Sequence, residues 1–522
     1  MKTTTTICVL AMLIALSGFA QEPVKVDGGL VKGVNENGLT VYKGIPFAAP
    51  PVGKLRWKEP QPVIPWNNVL IADKFAPACP QAVNPNAASL VNSVGDQSED
   101  CLYLNIWTPA KTAKEKLPVM VWIHGGGFAL GGTSIPNYSG EMLAKKGVVL
   151  VSIAYRMGAL GFMAHPELSK ENEHGVSGNY GLLDQIAALK WVKNNISAFG
   201  GNPGNVTIFG ESAGGISVSM LCGSPLAKGL FKRAVSESGG SLGPVSNQGT
   251  SGTATLKMAE KQGSDFASRM GVKSIAELRS VPVENFIKDP SSNMGGFRPD
   301  CDGYVIADDL YKRYSEGKYN DVDVLIGTNS NEGAMFIFGT KTEQLKGMLR
   351  MRFGSMADKA LEVYPAANDS VSLQSARNIF RDTMFGWSTW AWARLQKKTG
   401  KANVFVYYFD QKQPPKITGA PYEGASHSDE INYVFGHVDQ NYNYKYTEED
   451  RQLSDKIMSY WVNFASTGDP NGAGLPAWPQ FSESSNNPVM ILKSPEPFPG
   501  PLPNQPQLNF VDEFYRTIRE SK

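Results

Sequence analysis

Thr207-Ile208-Phe209-Gly210-Glu211-Ser212-Ala213-Gly214-Gly215 decides the fold of this chain. A β-branched and aromatic run, residues 206–209, enters a Gly-x-Ser-x-Gly turn, and small residues follow it. The reading is a strand, a tight turn and a helix start, with the serine displayed at the top of the turn. Side chains at 210 and 214 would clash where strand and helix nearly touch, so glycine suits both positions. Such a pattern recurs by chance in a chain with 53 glycines, and it needs support from elsewhere.

That support begins with the alternation around it. Residues 119–123, 148–154, 322–326 and 404–409 are further near-continuous apolar runs, as expected of strands buried on both faces. Helical spacing recurs over 182–194, with apolar residues at 182, 183, 186, 189 and 192. It recurs over 453–464, ahead of the stop signals Gly468 and Pro470. Strands alternating with helices predict an α/β fold with a mostly parallel sheet, helices on both faces and surface insertions. The Gly- and Ser-rich residues 239–255 read as a surface excursion, and residues 21–522 as one catalytic domain.

Composition narrows the partners. The 522 residues carry 50 Lys plus Arg against 49 Asp plus Glu, a balance that gives no reason to expect nucleic acid or an anionic membrane. Lys2, the apolar run 7–16 and small residues before Gln21 read as a signal peptide over 1–20, so export to the periplasm or the medium is expected. The run is well short of the roughly 20 apolar residues a membrane span needs, so no anchor is expected. Cys79, Cys101, Cys222 and Cys301 remain after that segment, and four cysteines allow three full pairings. Cys79 and Cys101 bracket a polar loop and are the first candidates; Cys222 reads as a buried thiol.

Serine is a weak nucleophile and needs a neighbouring base. In sheets that display serine this way, the chain order is serine, then acid, then histidine. That leaves His427 and His437. His427 lies in a small-residue loop beyond the run ending at Phe409, whereas His437 follows an apolar run and reads as structural. Glu332 sits just past the run 322–326, at a strand's carboxyl end, where sites in open α/β sheets form. Asp302 and Asp429 are rival carboxylates. His124-Gly125-Gly126-Gly127-Phe128, directly after the run 119–123, can turn backbone N–H groups inward. Together with the N–H of Ala213 these would form an oxyanion hole. No His/Cys cluster has metal-ligand spacing, so neither metal nor organic cofactor is expected.

With these motifs the chain resembles the type-B carboxylesterases, the group that includes cholinesterases and bacterial para-nitrobenzyl esterases. The likeness runs from about residue 24 to the C-terminal region. It includes Tyr42-Lys43-Gly44-Ile45-Pro46-Phe47-Ala48, Ser98-Glu99-Asp100-Cys101-Leu102-Tyr103-Leu104-Asn105 and Tyr155-Arg156-Met157-Gly158-Ala159-Leu160-Gly161-Phe162. The resemblance implies an α/β-hydrolase fold and hydrolysis of a small-molecule carboxylic ester. It puts the triad at Ser212, Glu332 and His427, the oxyanion N–H groups at Gly126, Gly127 and Ala213, and the first disulfide at Cys79 and Cys101. It also matches Ser238 to a serine beside the triad. Feruloyl-type or lipase-like specificity is the alternative within enzymes; a catalytically dead adhesion protein is the alternative outside them, although all three triad residues are kept.

Two departures bear on substrate. No Trp occurs between Cys79 and Cys101, so a choline site of the cholinesterase kind is not expected. Aligning Pro299 and Gly303 with the family's Pro-x-x-Asp-Gly segment puts Asn293 and Gly295 where cholinesterase-like members narrow the acyl pocket with aromatics. A roomier acyl pocket follows. Trp387, Trp390 and Trp392 could line a gorge, with core packing the commoner fate of such a run.

Overall fold

The computed structural model describes residues 22–82, 94–245, 253–414, 423–439, 444–483 and 487–521. The segment read as a signal peptide lies outside them. An eleven-stranded sheet organises the chain. In sequence order its strands are Val34–Glu36 (β1), Leu39–Pro46 (β2), Tyr103–Thr108 (β3), Leu117–Ile123 (β4), Val149–Ile153 (β5), Gly201–Glu211 (β6), Arg233–Glu237 (β7), Asp323–Asn329 (β8), Val404–Phe409 (β9), Pro488–Leu492 (β10) and Phe498–Pro501 (β11). Their spatial order is β11-β10-β9-β8-β7-β6-β4-β5-β3-β2-β1. From β10 through to β5 every neighbouring pair is parallel. The pairs toward both edges are antiparallel.

β4 explains the continuous apolar runs. Val119, Val121 and Ile123 pack into the core on one face of the sheet, and Met120 and Trp122 into the core on the other. With helices on both faces, no position along the strand is left for a polar residue. Helix Tyr180–Asn195 supplies Leu182, Ile186, Leu189 and Val192 to the first face, and Glu448–Thr467 supplies Leu453, Ile457, Trp461 and Phe464 to the second. The latter helix starts ahead of its apolar stripe. Thr447 accepts from the Asp450 N–H while Asp450 accepts from the Thr447 N–H, a capping box that satisfies the free first-turn donors. It ends at Gly468, whose φ of 89° is left-handed.

Two expectations change. The segment 239–255 is not a surface excursion where it is described first: Gly239, Gly240 and Leu242 are buried, because the chain turns under helix Trp387–Thr399. The bridge expected between Cys79 and Cys101 is not formed. Both are buried free thiols in hydrogen-bonding contact. Backbone pairing of Ala78 with residues 96–98 is enough to bring the two cysteines together without a covalent bond. Cys222 and Cys301 are also free thiols, Cys222 buried as expected. Trp387 and Trp392 are fully buried and Trp390 nearly so; Trp387 donates to Asp512 and Trp392 to Gln396, so the cluster is core.

Candidate active site

The carboxyl ends of the parallel strands gather the site. β6 ends at Glu211, and Ser212 takes φ 55°, ψ −120°, a conformation L-residues rarely adopt, before helix Ala213–Gly223 begins. Surrounding backbone holds that strain in place: the Ser212 N–H donates to the Glu237 carbonyl at 2.9 Å. A Cβ on Gly214 would sit 1.9 Å from the Ile123 carbonyl oxygen, and one on Gly210 2.6 Å from the same atom. β4, β6 and the helix therefore converge only because both positions are glycine.

His427 arrives from far along the chain, on a loop stitched to the end of β8. The Asn329 side chain donates to the Ser426 carbonyl at 2.7 Å, the Ala425 N–H to Ser330 Oγ at 2.9 Å and the Asn331 N–H to the Ala425 carbonyl at 2.8 Å. Ser212 Oγ lies 2.8 Å from His427 Nε2, and His427 Nδ1 lies 2.6 Å from Glu332 Oε2. The second oxygen of Glu332 accepts from the Asn329 N–H at 2.8 Å. In the neutral ring this network favours the proton on Nδ1, facing Glu332, which leaves Nε2 to accept from the serine. The rivals fall elsewhere: Asp302 accepts from the N–H groups of Tyr304 and Ile306, Asp429 from that of Ser426, and His437 Nε2 lies 2.9 Å from the Ser139 carbonyl.

Across from Ser212, Gly126 and Gly127 take φ of 102° and 64° in a turn closed by Ala129 and Leu130 donating to the Gly126 carbonyl. Among the described residues, the N–H groups of Gly126, Gly127 and Ala213 have no hydrogen-bond acceptor. Such free donors beside a nucleophile can receive developing negative charge.

Negative charge beneath the site is graded. Glu211 Oε1 lies 3.2 Å from His427 Nε2 and accepts from Ser428 Oγ at 2.7 Å. Burial opposes the charged imidazole, but Glu211 and Glu332 outweigh it and raise the His427 pKa from 6.5 to about 9. Behind them, burial pushes Glu237 up to about 8 despite the Trp461 N–H it accepts. Burial and the neighbouring carboxylates push Glu430 well above the ordinary range. Burial raises Glu211 as well, with His427 and the Ser428 hydroxyl opposing the shift. Ser238, held at φ 46° by donating its N–H to the Gly327 carbonyl, borders Glu430.

An aromatic wall that the sequence reading missed covers His427. Phe385 stacks on the imidazole at 4.8 Å and 11°, Phe336 lies 5.2 Å away, and Phe380 stacks on Phe336. Phe385 is carried by a π-helical turn, Asp382–Gly386. Buried Asp382 anchors that turn by accepting from Arg381, Tyr364 and Asn504. Beyond the wall opens a cavity of about 260 Å³. Phe128, Ile216, Gly240 and Phe380 border it on the serine side. Asn293 and Gly295 bring no aromatic toward it, but Met294 leans onto the oxyanion turn: a Cβ on Gly127 would meet its Cγ at 2.9 Å. No helix among the described residues is long and apolar enough to cross a membrane. No group of metal-ligating side chains occurs among them either.

Known proteins share this arrangement of strands. The model of the carboxylesterase family matches residues 20–510. The para-nitrobenzyl esterase of Bacillus subtilis (strain 168) is 38% identical over 90% of this chain and 94% of its own. The fumonisin B1 esterase of Sphingopyxis macrogoltabida is 37% identical over 87% and 84%. A solved para-nitrobenzyl esterase structure superposes with a TM-score of 0.79 at 36% identity, over 94% of this chain and 98% of that one. The chain belongs to the type-B carboxylesterase family and is a serine carboxylesterase, a hydrolase of carboxylic esters.

Proposed function

We propose that ester hydrolysis runs through an acyl-enzyme on Ser212, with His427 as base and acid and Glu332 as its orienting carboxylate. The observation that carries this reading is the unbroken line from Ser212 Oγ through both ring nitrogens of His427 to Glu332. His427 Nε2 takes the serine proton as Oγ attacks the ester carbonyl. Glu332 holds the ring, and Glu211 adds to the stabilisation of the imidazolium. The carbonyl oxygen, now anionic, accepts from the Gly126, Gly127 and Ala213 N–H groups, each worth about 2.7–4 kcal/mol at the transition state. His427 then gives its proton to the departing alcohol. Water attacks the acyl-enzyme by the same route, returning the acid and free Ser212.

The first experiment is hydrolysis of a para-nitrophenyl acyl series by wild type and Ser212→Ala, with mass spectrometry after an organophosphate. Loss of activity by about 10⁶-fold in kcat and one adduct, on Ser212, are expected. Activity in a folded Ser212→Ala variant sinks the assignment. The N-terminal segment 1–20 supports export, and N-terminal sequencing of protein recovered outside the cytoplasm should begin at Gln21.

A further inference from the structure

The cavity beside the site is lined by apolar side chains, Phe128, Ile216 and Phe380 among them, and by two cations. Arg298 and Arg352 both line it, and no Asp or Glu does. Among the described residues, neither arginine has a hydrogen bond or an ion pair. The buried arginines of this protein behave differently. Arg156 forms a two-pronged pair with Asp184, and Arg381 with Asp382. Arg298 is exposed and Arg352 half-buried, so both guanidinium groups are open to a ligand entering the cavity. The planar fork of a guanidinium matches a carboxylate and binds it through two charge-assisted hydrogen bonds.

We propose that Arg298 and Arg352 form a subsite for a carboxylate carried by the ester substrate, so that the preferred substrates are anionic esters. The proposal rests on the catalytic reading above: the ester carbonyl sits at Ser212, and the carboxylate reaches past Phe128 and Ile216 to the guanidinium groups. The carboxylate takes no part in bond making. It binds, and it aligns the carbonyl with the oxyanion N–H groups. The anion can belong to the acid half of the ester or to the alcohol half; the chemistry recognised is the same.

Two matched ester pairs separate these sources. Benzyl hydrogen glutarate against benzyl pentanoate tests the acid half. 4-(Acetoxymethyl)benzoate against 4-methylbenzyl acetate tests the alcohol half. The readout is the ratio of kcat/KM, anionic over neutral, from alcohol release near neutral pH. Arg298→Leu and Arg352→Leu should each lower that ratio in one pair by about tenfold to a hundredfold, as expected for a lost charge-assisted contact. Neutral-ester turnover should stay within about twofold, and Arg298→Lys should restore part of the ratio. Thermal melts identify a variant that fails to fold, in which case the lysine variant alone carries the comparison. A wild type that cleaves the neutral esters, with ratios indifferent to both arginines in both pairs, overturns the subsite alone. A folded wild type that cleaves neither neutral ester and takes no organophosphate on Ser212 overturns the catalytic reading, and the subsite with it.

Discussion

The two sides of the site are built on different principles. The elbow from Gly210 to Gly215 is fixed by collisions between neighbouring strands, where backbone atoms leave no room for a Cβ. The opposite wall, made by the π-helical turn Asp382–Gly386 and the segment 293–299, is fixed by contacts from distant parts of the chain. Asp382 accepts from Tyr364, Arg381 and Asn504, and a Cβ at Gly295 would meet nothing within 4 Å. Gly296, where a Cβ would sit 1.9 Å from the Ser291 carbonyl oxygen, pins the base of that segment, but Gly295 and the exposed Met294 have room to vary that Gly210 and Gly214 lack. Chemical steps should fail steeply when the first side is touched, and selectivity should shift gently when the second is.

The steepest loss on the chemical side, after the serine itself, is expected at Glu332. Glu332→Gln keeps the shape but replaces the anion next to His427 Nδ1 and favours the wrong tautomer. A fall in kcat of about 10³–10⁴-fold with little change in Tm is expected. Steady-state kinetics and a melt check it; a loss under tenfold would place the orienting carboxylate elsewhere.

Next come the glycines, as a direct contrast between the sides. Gly214→Ala drives a Cβ into the Ile123 carbonyl, 1.9 Å away, and should cost about 3 kcal/mol or prevent folding. Gly295→Ala meets no atoms, and only its φ of 90° opposes it, a cost of about 1 kcal/mol. Urea melts of both variants compare them, and equal costs would break the distinction drawn here.

This contrast also explains what could be read from sequence. Local collision leaves a sequence signature, so Gly210, Gly214 and the glycines at 126 and 127 were legible, as were the strands buried on both faces. Chain order left His427 and His437, and the small-residue loop around His427 was enough to prefer it. The π-helical turn was not legible, because Thr383, Met384 and Phe385 have nothing unusual locally and the turn is stabilised by Asn504 and Tyr364. The same holds for Gly239 to Leu242: glycine and serine suggest exposure, and burial comes from helix Trp387–Thr399 packing over them. The edge strands Val34–Glu36 and Phe498–Pro501 are short and partly exposed, with little apolar pattern to read.

A smaller effect concerns pH. In the proposed mechanism His427 must be neutral to accept the serine proton, and Glu211 and Glu332 stabilise its charged form. The acid limb of kcat/KM should then lie above the ordinary histidine value of 6.5, toward about 9. The same interaction stabilises the fold fully below pH 6.5 and is lost as pH rises through about 9. Glu211→Gln removes one of the two charges and should move the acid limb down, by about one pH unit. A pH–rate profile that does not move would leave Glu211 without a role at the imidazole.

The gentlest expected change is at Met294, where the two sides touch. Its side chain is half exposed and leans onto Gly127, so it restricts the space in which an acyl group leaves the oxyanion turn. Met294→Ala removes three heavy atoms from this wall and leaves the proposed oxyanion donors in place. The ratio of kcat/KM for benzoyl over acetyl esters should rise by about threefold to tenfold, the range that a few methylenes contribute in an apolar pocket. The acetyl ester, too small to reach the methionine, should be cleaved at the wild-type rate. If instead both esters slow together, Met294 supports the oxyanion turn, and the segment 293–299 belongs with the rigid side of the site.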